Sequence, residues 1–321
     1  MISWIFQLLV FPGLTFFVWI AFAFEWLERK TAAKIQSRVG PLTAGPKGFL
    51  QPVADYFKLI LKEEIIPRYS DRFVFLYGPP LYFSVPAIGA VFIPVLGETG
   101  VLSHTYDLLF ILFILSFSVL MASILGYAAS GRYAIISIGR LILQYTSYEV
   151  PLILSILAPA LLARSLSISK IVASQTSIWY IFYAPISFAV FLIVSLAELE
   201  KPPFDIPSAK TEIVAGWMTE FSGRALAYIK LTKNLNYVFL SALATTLFLG
   251  GPTLPMTIQE DFIMSFASLL VFLAKTFGVG FLIFVIKSAL ARIKIEQATS
   301  LLWTITTPLS FLQLLIITVF R

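Results

Sequence analysis

The sequence predicts an all-α integral membrane protein, and three observations carry the prediction. Of 321 residues, 59% are hydrophobic and only 12% charged, whereas a soluble domain carries about 45–50% apolar and about 25% charged residues. Mean hydropathy is +0.90. The apolar residues gather in eight runs, each long enough to cross about 30 Å of hydrocarbon at about 1.5 Å per residue. Within lipid a run of this length satisfies its backbone only as a helix. The expected architecture is a bundle of about eight transmembrane helices forming one domain over residues 1–321.

The runs lie at about 2–27, 73–97, 107–129, 134–163, 177–199, 235–255, 262–287 and 299–320. The first reads as a retained anchor. No basic segment precedes it, and Glu28-Arg29-Lys30 follows where a small-residue cleavage site would stand. Pro79 and Pro80 enter the second run, and Pro86 and Pro94 lie inside it. Pro151 and Pro159 lie inside the fourth. Each removes a ladder hydrogen bond, so kinks are expected there. Between the first two runs, GFLQPVADYFKLILK (48–62) has helical amphipathicity. Phe49, Leu50, Val53, Phe57, Ile60 and Leu61 fall on one arc, and Gln51, Asp55, Lys58 and Lys62 on the other. Such a helix lies at the membrane interface, either docked on the bundle or as a platform for a soluble partner. A second polar stretch, an acidic loop at about 198–234, follows the fifth run.

Nineteen of the 23 basic residues fall in alternate connections, beginning with the one after the first run. By the positive-inside rule those connections are cytoplasmic and both termini lie outside the cytoplasmic membrane. The chain has no cysteine and one histidine, His104. Disulfides, thiolate metal sites, Fe–S ligation and two-His metal sites are thereby excluded, and no redox centre is expected in this chain. The glycines of RVGPLTAGPKG have neither dinucleotide nor P-loop spacing.

Charge inside a span is costly and marks a partner or a wet cavity. Glu149 stands near the middle of the fourth run and Lys275 midway along the seventh, while Glu198, Glu200 and Asp205 close the fifth, followed by Glu212 and Glu220. A chain of buried carboxyls linked by water relays protons. Equally, Glu149 can be a satisfied polar group donating to a carbonyl freed by Pro151, and the acids from Glu198 onward can belong to a solvated loop.

Three segments resemble a known family. ERKTAAKIQSRVGPLTAGPKGFLQPVADYFKLILKE (28–63), SYEVP (147–151) and AELEKPPFDIPSAKTEIVAGWMTEFSG (197–223) are similar, in that order, to the signatures of the H-subunit family of NADH dehydrogenase (complex I). The resemblance implies a membrane component that anchors a soluble redox arm and carries a buried ion or proton path. On matching positions that path includes Glu149, Glu198, Asp205, Glu212 and Glu220, and Glu200 and Lys275 are added for their places at the end of one span and within another. Glu28, Arg29, Gln36, Arg38, Asp55, Lys58, Lys62 and Glu63 would border the redox arm or a quinone-like cavity. Ser208 and Lys210 replace two acids of the usual pattern, and the third segment is more similar to the archaeal membrane-bound hydrogenase branch. A [NiFe] centre and Fe–S clusters are therefore expected in hydrogenase-like and Fe–S partner subunits, with antiporter-like membrane subunits alongside and no nucleic acid. A quinone-reducing NADH or ferredoxin dehydrogenase, a sulfur-reducing relative and, in another class, a stand-alone secondary transporter are the alternatives. H⁺ and Na⁺ both suit carboxylate oxygens.

Overall fold

The computed structural model describes residues 2–253 and 261–319. In order the helices are α1 (Ile2–Leu9), α2 (Leu14–Ile35), α3 (Gln51–Ile60), α4 (Arg72–Val91), α5 (Asp107–Ala128), α6 (Arg132–Ala163) and α7 (Ile168–Ala173). Then follow α8 (Pro185–Glu198), α9 (Lys210–Ile213), α10 (Gly223–Phe248), α11 (Asp261–Ala289), α12 (Ile295–Leu301) and α13 (Thr307–Val319). No strand occurs among the described residues. Among the described residues six segments are long and apolar enough to span a membrane: Phe6–Ile35, Arg72–Val91, Asp107–Ala128, Arg132–Ala163, Ile263–Ala289 and Ile295–Val319. The protein is a multi-pass, all-α membrane protein.

Local chemistry sets the element ends. The first run is split at Pro12-Gly13, where a Cβ on Gly13 would stand 1.9 Å from the Leu8 carbonyl oxygen. The helix after the break runs on to Ile35, so Glu28 and Arg29 ride on α2 rather than in the loop. Asp71 caps α4, accepting from the amides of Phe73 at 3.0 Å and Val74 at 3.2 Å. Pro79, Pro80 and Pro86 lie inside α4 and Pro151 and Pro159 inside α6. Pro94 does not lie in a helix as expected. Its span ends at Val91, and Pro94 follows the cap residue Phe92 by two positions, a place proline favours because it cannot continue a helix. Between α12 and α13 a π-helical turn, Leu302–Thr306, precedes Pro308, whose ring would collide with the carbonyl four residues back in a regular α-helix.

Two of the expected spans take a different form. Residues 177–184 fold back on Gln175, whose side-chain amide donates to the carbonyls of Thr246 (3.0 Å) and Leu247 (3.2 Å). This leaves α8 only 14 residues, about 21 Å of helix. α10 begins at Gly223, well inside the stretch read as an acidic loop, and every residue from Leu235 to Phe248 is buried. It is the central helix, packed by α2, α4, α11, α7 and α8. The ends of the expected runs at 255 and 320 and the terminal Arg321 lie outside the described residues.

The amphipathic segment forms α3, but its two arcs do not sort into an inner and an outer face: Lys58 and Lys62 are exposed, and Val53 and Ile60 are partly buried. Asp55 and Gln51 turn inward toward α2, while Phe57 and Leu61 are 57% and 84% exposed. The part-exposed pair of Asp55 with Arg29 orients the helix, and lipid can cover the two exposed apolar groups.

The loop after α8 depends on one backbone position. Gly216 has φ +62°, and a Cβ there would lie 2.0 Å from the Pro207 carbonyl oxygen. Gly216→Ala is expected to cost about 1–3 kcal/mol, read as a lowered melting temperature of the detergent-solubilised protein.

Candidate functional site

The charged side chains converge where α2, α3, α10 and the end of α11 meet the loop 199–209. α2 supplies Glu25, Glu28 and Arg29. Arg29 bridges Glu25, one turn earlier, to Asp55 of α3 at 2.6 Å. Asp55 also accepts from the Gln51 amide at 2.8 Å. Burial alone would raise the Asp55 carboxyl, and the hydrogen bonds from Arg29 and Gln51 hold it below its ordinary range. Asn234 of α10 donates to the other oxygen of Glu25. Glu28, mostly buried, accepts from Lys201 at 2.9 Å and from Lys287 of α11. One carboxylate oxygen is therefore shared by two lysines, which leaves the trio with a net positive charge.

The loop after α8 adds three acids. The helix ends in a Schellman arrangement, with the Glu200 amide donating to Ala197 and the Lys201 amide to Leu196. Glu200 occupies the left-handed position at φ +49°, where glycine is usual. Its buried carboxylate accepts from Lys233 of α10 at 2.9 Å, and the same ammonium lies 5.2 Å from the centre of the Trp217 ring. Asp205 is buried and pairs with Arg292 at 2.6 Å. Burial raises its carboxyl above the ordinary aspartate range, and Arg292 only partly opposes this. Glu198, the last residue of α8, is buried, with one carboxylate oxygen lacking any partner.

Glu198 connects this cluster to the interior. Tyr148 of α6 hydrogen-bonds Glu198, which lies within electrostatic range of both Glu200 and Glu149. Glu149, half-buried, accepts from the hydroxyls of Tyr145 and, at 3.2 Å, Ser116. The Pro151-freed carbonyl is therefore not its partner. Two hydroxyls of α5 and α6 satisfy it instead.

Two adjoining cavities open on the cluster. One, about 310 Å³, is lined by Glu25, Arg29, Asp55, Lys58, Lys62, Lys230 and Asn234 with apolar neighbours. The second, about 430 Å³, sets Lys201, Lys210, Lys230, Lys233, Lys287 and Arg292 against Glu25, Glu200 and Asp205. Among the described residues no group of three His, Asp or Glu side chains is arranged to hold a metal ion.

The structure thus gathers Glu28, Arg29, Asp55, Lys58, Lys62, Glu198, Glu200 and Asp205, with Glu149 beyond the adjacent rings of Tyr148 and Tyr145. It leaves others apart. Gln36 and Arg38 pair with each other on the surface, and the Glu63 side chain is exposed. Glu212 is exposed and paired with Arg140. Glu220 is half-buried against Gly131. Lys275 donates to the carbonyls of Leu249 (2.7 Å) and Gly251 (3.0 Å) beyond the far end of α10. Glu25, Lys233, Asn234, Lys287 and Arg292 are the residues that sequence reading missed. The 4-residue spacing of Lys230 and Asn234 and the 3-residue spacing of Lys230 and Lys233 were available signals, since both put polar groups on one helix face.

Removing the shared acid exposes the arrangement. Glu28→Gln leaves Lys201 and Lys287 facing each other without the carboxylate they share, and a loss of about 3–5 kcal/mol is expected. Adding Lys201→Met should restore part of it, a coupling that thermal unfolding of the four variants of a double-mutant cycle would measure.

The family model of NADH dehydrogenase matches residues 7–318. The H subunit of the NADH-quinone oxidoreductase of Thermomicrobium roseum is 36% identical over 311 residues, covering 90% of this chain and 88% of that protein. The second H subunit of the Geobacter sulfurreducens NADH-quinone oxidoreductase is 36% identical over 322 residues, covering 96% and 93%. Among solved structures, a chain of the membrane-bound sulfane sulfur reductase, an archaeal respiratory membrane complex, superimposes with a TM-score of 0.86 at 26% identity, covering 98% of this chain and 99% of that one. With this match along nearly its whole length, the chain belongs to the NADH dehydrogenase family, in the H-subunit branch that serves multi-subunit oxidoreductases.

Proposed function

We propose that this chain anchors a soluble redox arm to the membrane and couples its electron transfer to translocation of H⁺ or Na⁺. The observation that carries the reading is the continuity of acids from Glu149 through Tyr145 and Tyr148 to Glu198, then to Glu200 and the 430 Å³ cavity. Hydroxyls between carboxylates let a proton pass by short hops, and the orphaned Glu198 oxygen stands ready to receive one. Asp205 extends the path toward Arg292. Glu212 and Glu220 would serve its mouth, and Lys275 its far side. Gln36, Arg38 and Glu63 would meet the redox arm at the surface. The charged end is cytoplasmic on this reading, which follows the basic-residue asymmetry. α8 and α10 then complete eight crossings, α8 with help from the folded segment before it.

The redox chemistry belongs to partners. The chain has no cysteine, so Fe–S clusters and a [NiFe] centre would sit in hydrogenase-like and Fe–S subunits, with antiporter-like subunits continuing the ion path. Six cations against three carboxylates in the larger cavity, and Ser208 and Lys210 where the family pattern has acids, favour a branch without quinone. A second reading, a sulfur-reducing complex, draws on the likeness to the sulfane sulfur reductase chain. Metal analysis of the intact complex separates the two, because stoichiometric nickel is expected for the hydrogenase and none for the sulfur-reducing complex.

The relay itself is tested at Glu149. Glu149→Gln still accepts from Tyr145 and Ser116, so assembly is expected to survive, while ion uptake into vesicles per electron transferred should fall by about tenfold or more. Glu149→Asp keeps the exchangeable carboxyl and should be milder. A silent Gln with a damaging Asp would show a structural glutamate.

A further inference from the structure

The charged cavity also faces a polar track that the Glu149 route does not use. On α10, Lys230, Asn234, Tyr237, Ser241 and Thr245 recur at spacings of four, three, four and four residues, which places them on one helical face. That face looks onto α2 and α11. Asn234 bonds Glu25 of α2, and Tyr237 stacks on Phe284 of α11 at 4.5 Å and lies edge-on to Phe24 of α2 at 6.0 Å. At its near end Lys230 and Asn234 line both charged cavities. At its far end Lys275 of α11 reaches the carbonyls of Leu249 and Gly251. The Lys275 ammonium lies 4.7 Å from the Trp179 ring centre, and Trp179 and Thr253 line a further cavity of about 330 Å³.

Tyr237 and Ser241 of this face differ from Thr245 at its far end and from most hydroxyls in the bundle. Ser195, Thr232 and Thr245 each donate to the carbonyl four residues back, at 2.7, 2.8 and 2.9 Å, which is how a hydroxyl is satisfied in an apolar helix. Tyr237, Ser241 and Thr276 of α11 are all buried, and none of their hydroxyls has a protein partner. Buried polar groups left by the protein are met by water, and a row of them between two polar cavities is the lining of a wet path rather than of a packed seam.

We propose that the seam between α10, α2 and α11 is a water-filled half-channel, leading from the charged cavity past Tyr237 and Ser241 to a stop at Lys275. A proton entering it moves by exchange along hydroxyls and water, each group accepting one proton and releasing another, so no group changes its net state. There the Lys275 ammonium releases one of its own protons toward the Trp179 cavity as it takes up the arriving one, so the path ends with every group as it began.

The chain lacks cysteine, so a single introduced thiol reports one position by mass. In the assembled complex in membranes, Ser241→Cys is expected to be modified by 2-aminoethyl methanethiosulfonate, while Ala242→Cys, equally buried on another face of α10, stays unmodified. Equal inertness of both thiols shows a dry seam and overturns the proposal, as does equal reaction of both, which shows a loosened helix. Tyr237→Phe combined with Thr276→Val removes two of the unpartnered hydroxyls at nearly constant volume. Vesicle proton uptake per electron is expected to drop with the complex intact, and unchanged uptake overturns the conducting role. The labelling arm needs no turnover, so it stands whether or not the Glu149 route carries ions.

Discussion

A charge removed from water must find a counter-charge or a hydrogen-bonding network, and at one end of this bundle that requirement fixes how five elements meet. An unpaired ion in the interior costs several kcal/mol, far more than any single apolar contact there returns. Arg29 therefore cannot sit on α2 without Glu25 and Asp55. Lys287 cannot end α11 where it does without Glu28, nor Lys233 face inward without Glu200. Each pair joins helices distant in sequence, so the network sets the relative depth of α2, α3, α10 and α11 more sharply than interchangeable leucines and phenylalanines can. The setting of α3 is the plainest consequence. Asp55 turns to its partner Arg29, while Phe57 and Leu61 stay exposed.

The fold was legible wherever composition spoke for single helices. Long apolar runs marked α2, α4, α5, α6, α11 and the α12–α13 pair, since a lipid-facing helix has no alternative to being apolar. α10 was half-hidden because it is buried in protein and carries Arg224, Lys230, Lys233 and Asn234 in its first half, residues that a hydropathy window counts as loop. α8 was over-extended for the opposite reason. Residues 177–184 are apolar, but Gln175 ties them into a turn against the end of α10, and no local pattern reveals that bond.

The candidate site was legible as a set of acids and not as a set of pairs. Glu149 and Glu198 could be singled out because carboxyls within apolar runs are rare. Their partners Tyr145, Tyr148 and Ser116 could not, because a tyrosine or serine in such a run is ordinary. Lys201, Lys233, Lys287 and Arg292 were read only as topology markers, yet they prove to be the counter-charges of Glu28, Glu200 and Asp205. Pairing across 33 to 259 residues of sequence, as in Lys233–Glu200 and Lys287–Glu28, is tertiary information.

Glu200 shows which of these forces dominates. At φ +49° a non-glycine residue gives up about 1–2 kcal/mol of backbone energy, and glycine at this helix end would remove that cost. Glycine would also leave Lys233 buried without a counter-ion, and that loss is about 3–5 kcal/mol. The larger magnitude decides, so the acid stands against the preference of its own backbone. The same balance bears on Ser208 and Lys210. Both line a cavity already rich in cations, and placing a lysine where the family pattern has an acid raises its positive potential further. A neutral headgroup gains little from such a surface, while an acidic or proton-accepting one gains from every cation. The loop that holds Glu200 in its strained position therefore also sets the electrostatic character of the cavity, and through it the chemistry the chain can serve.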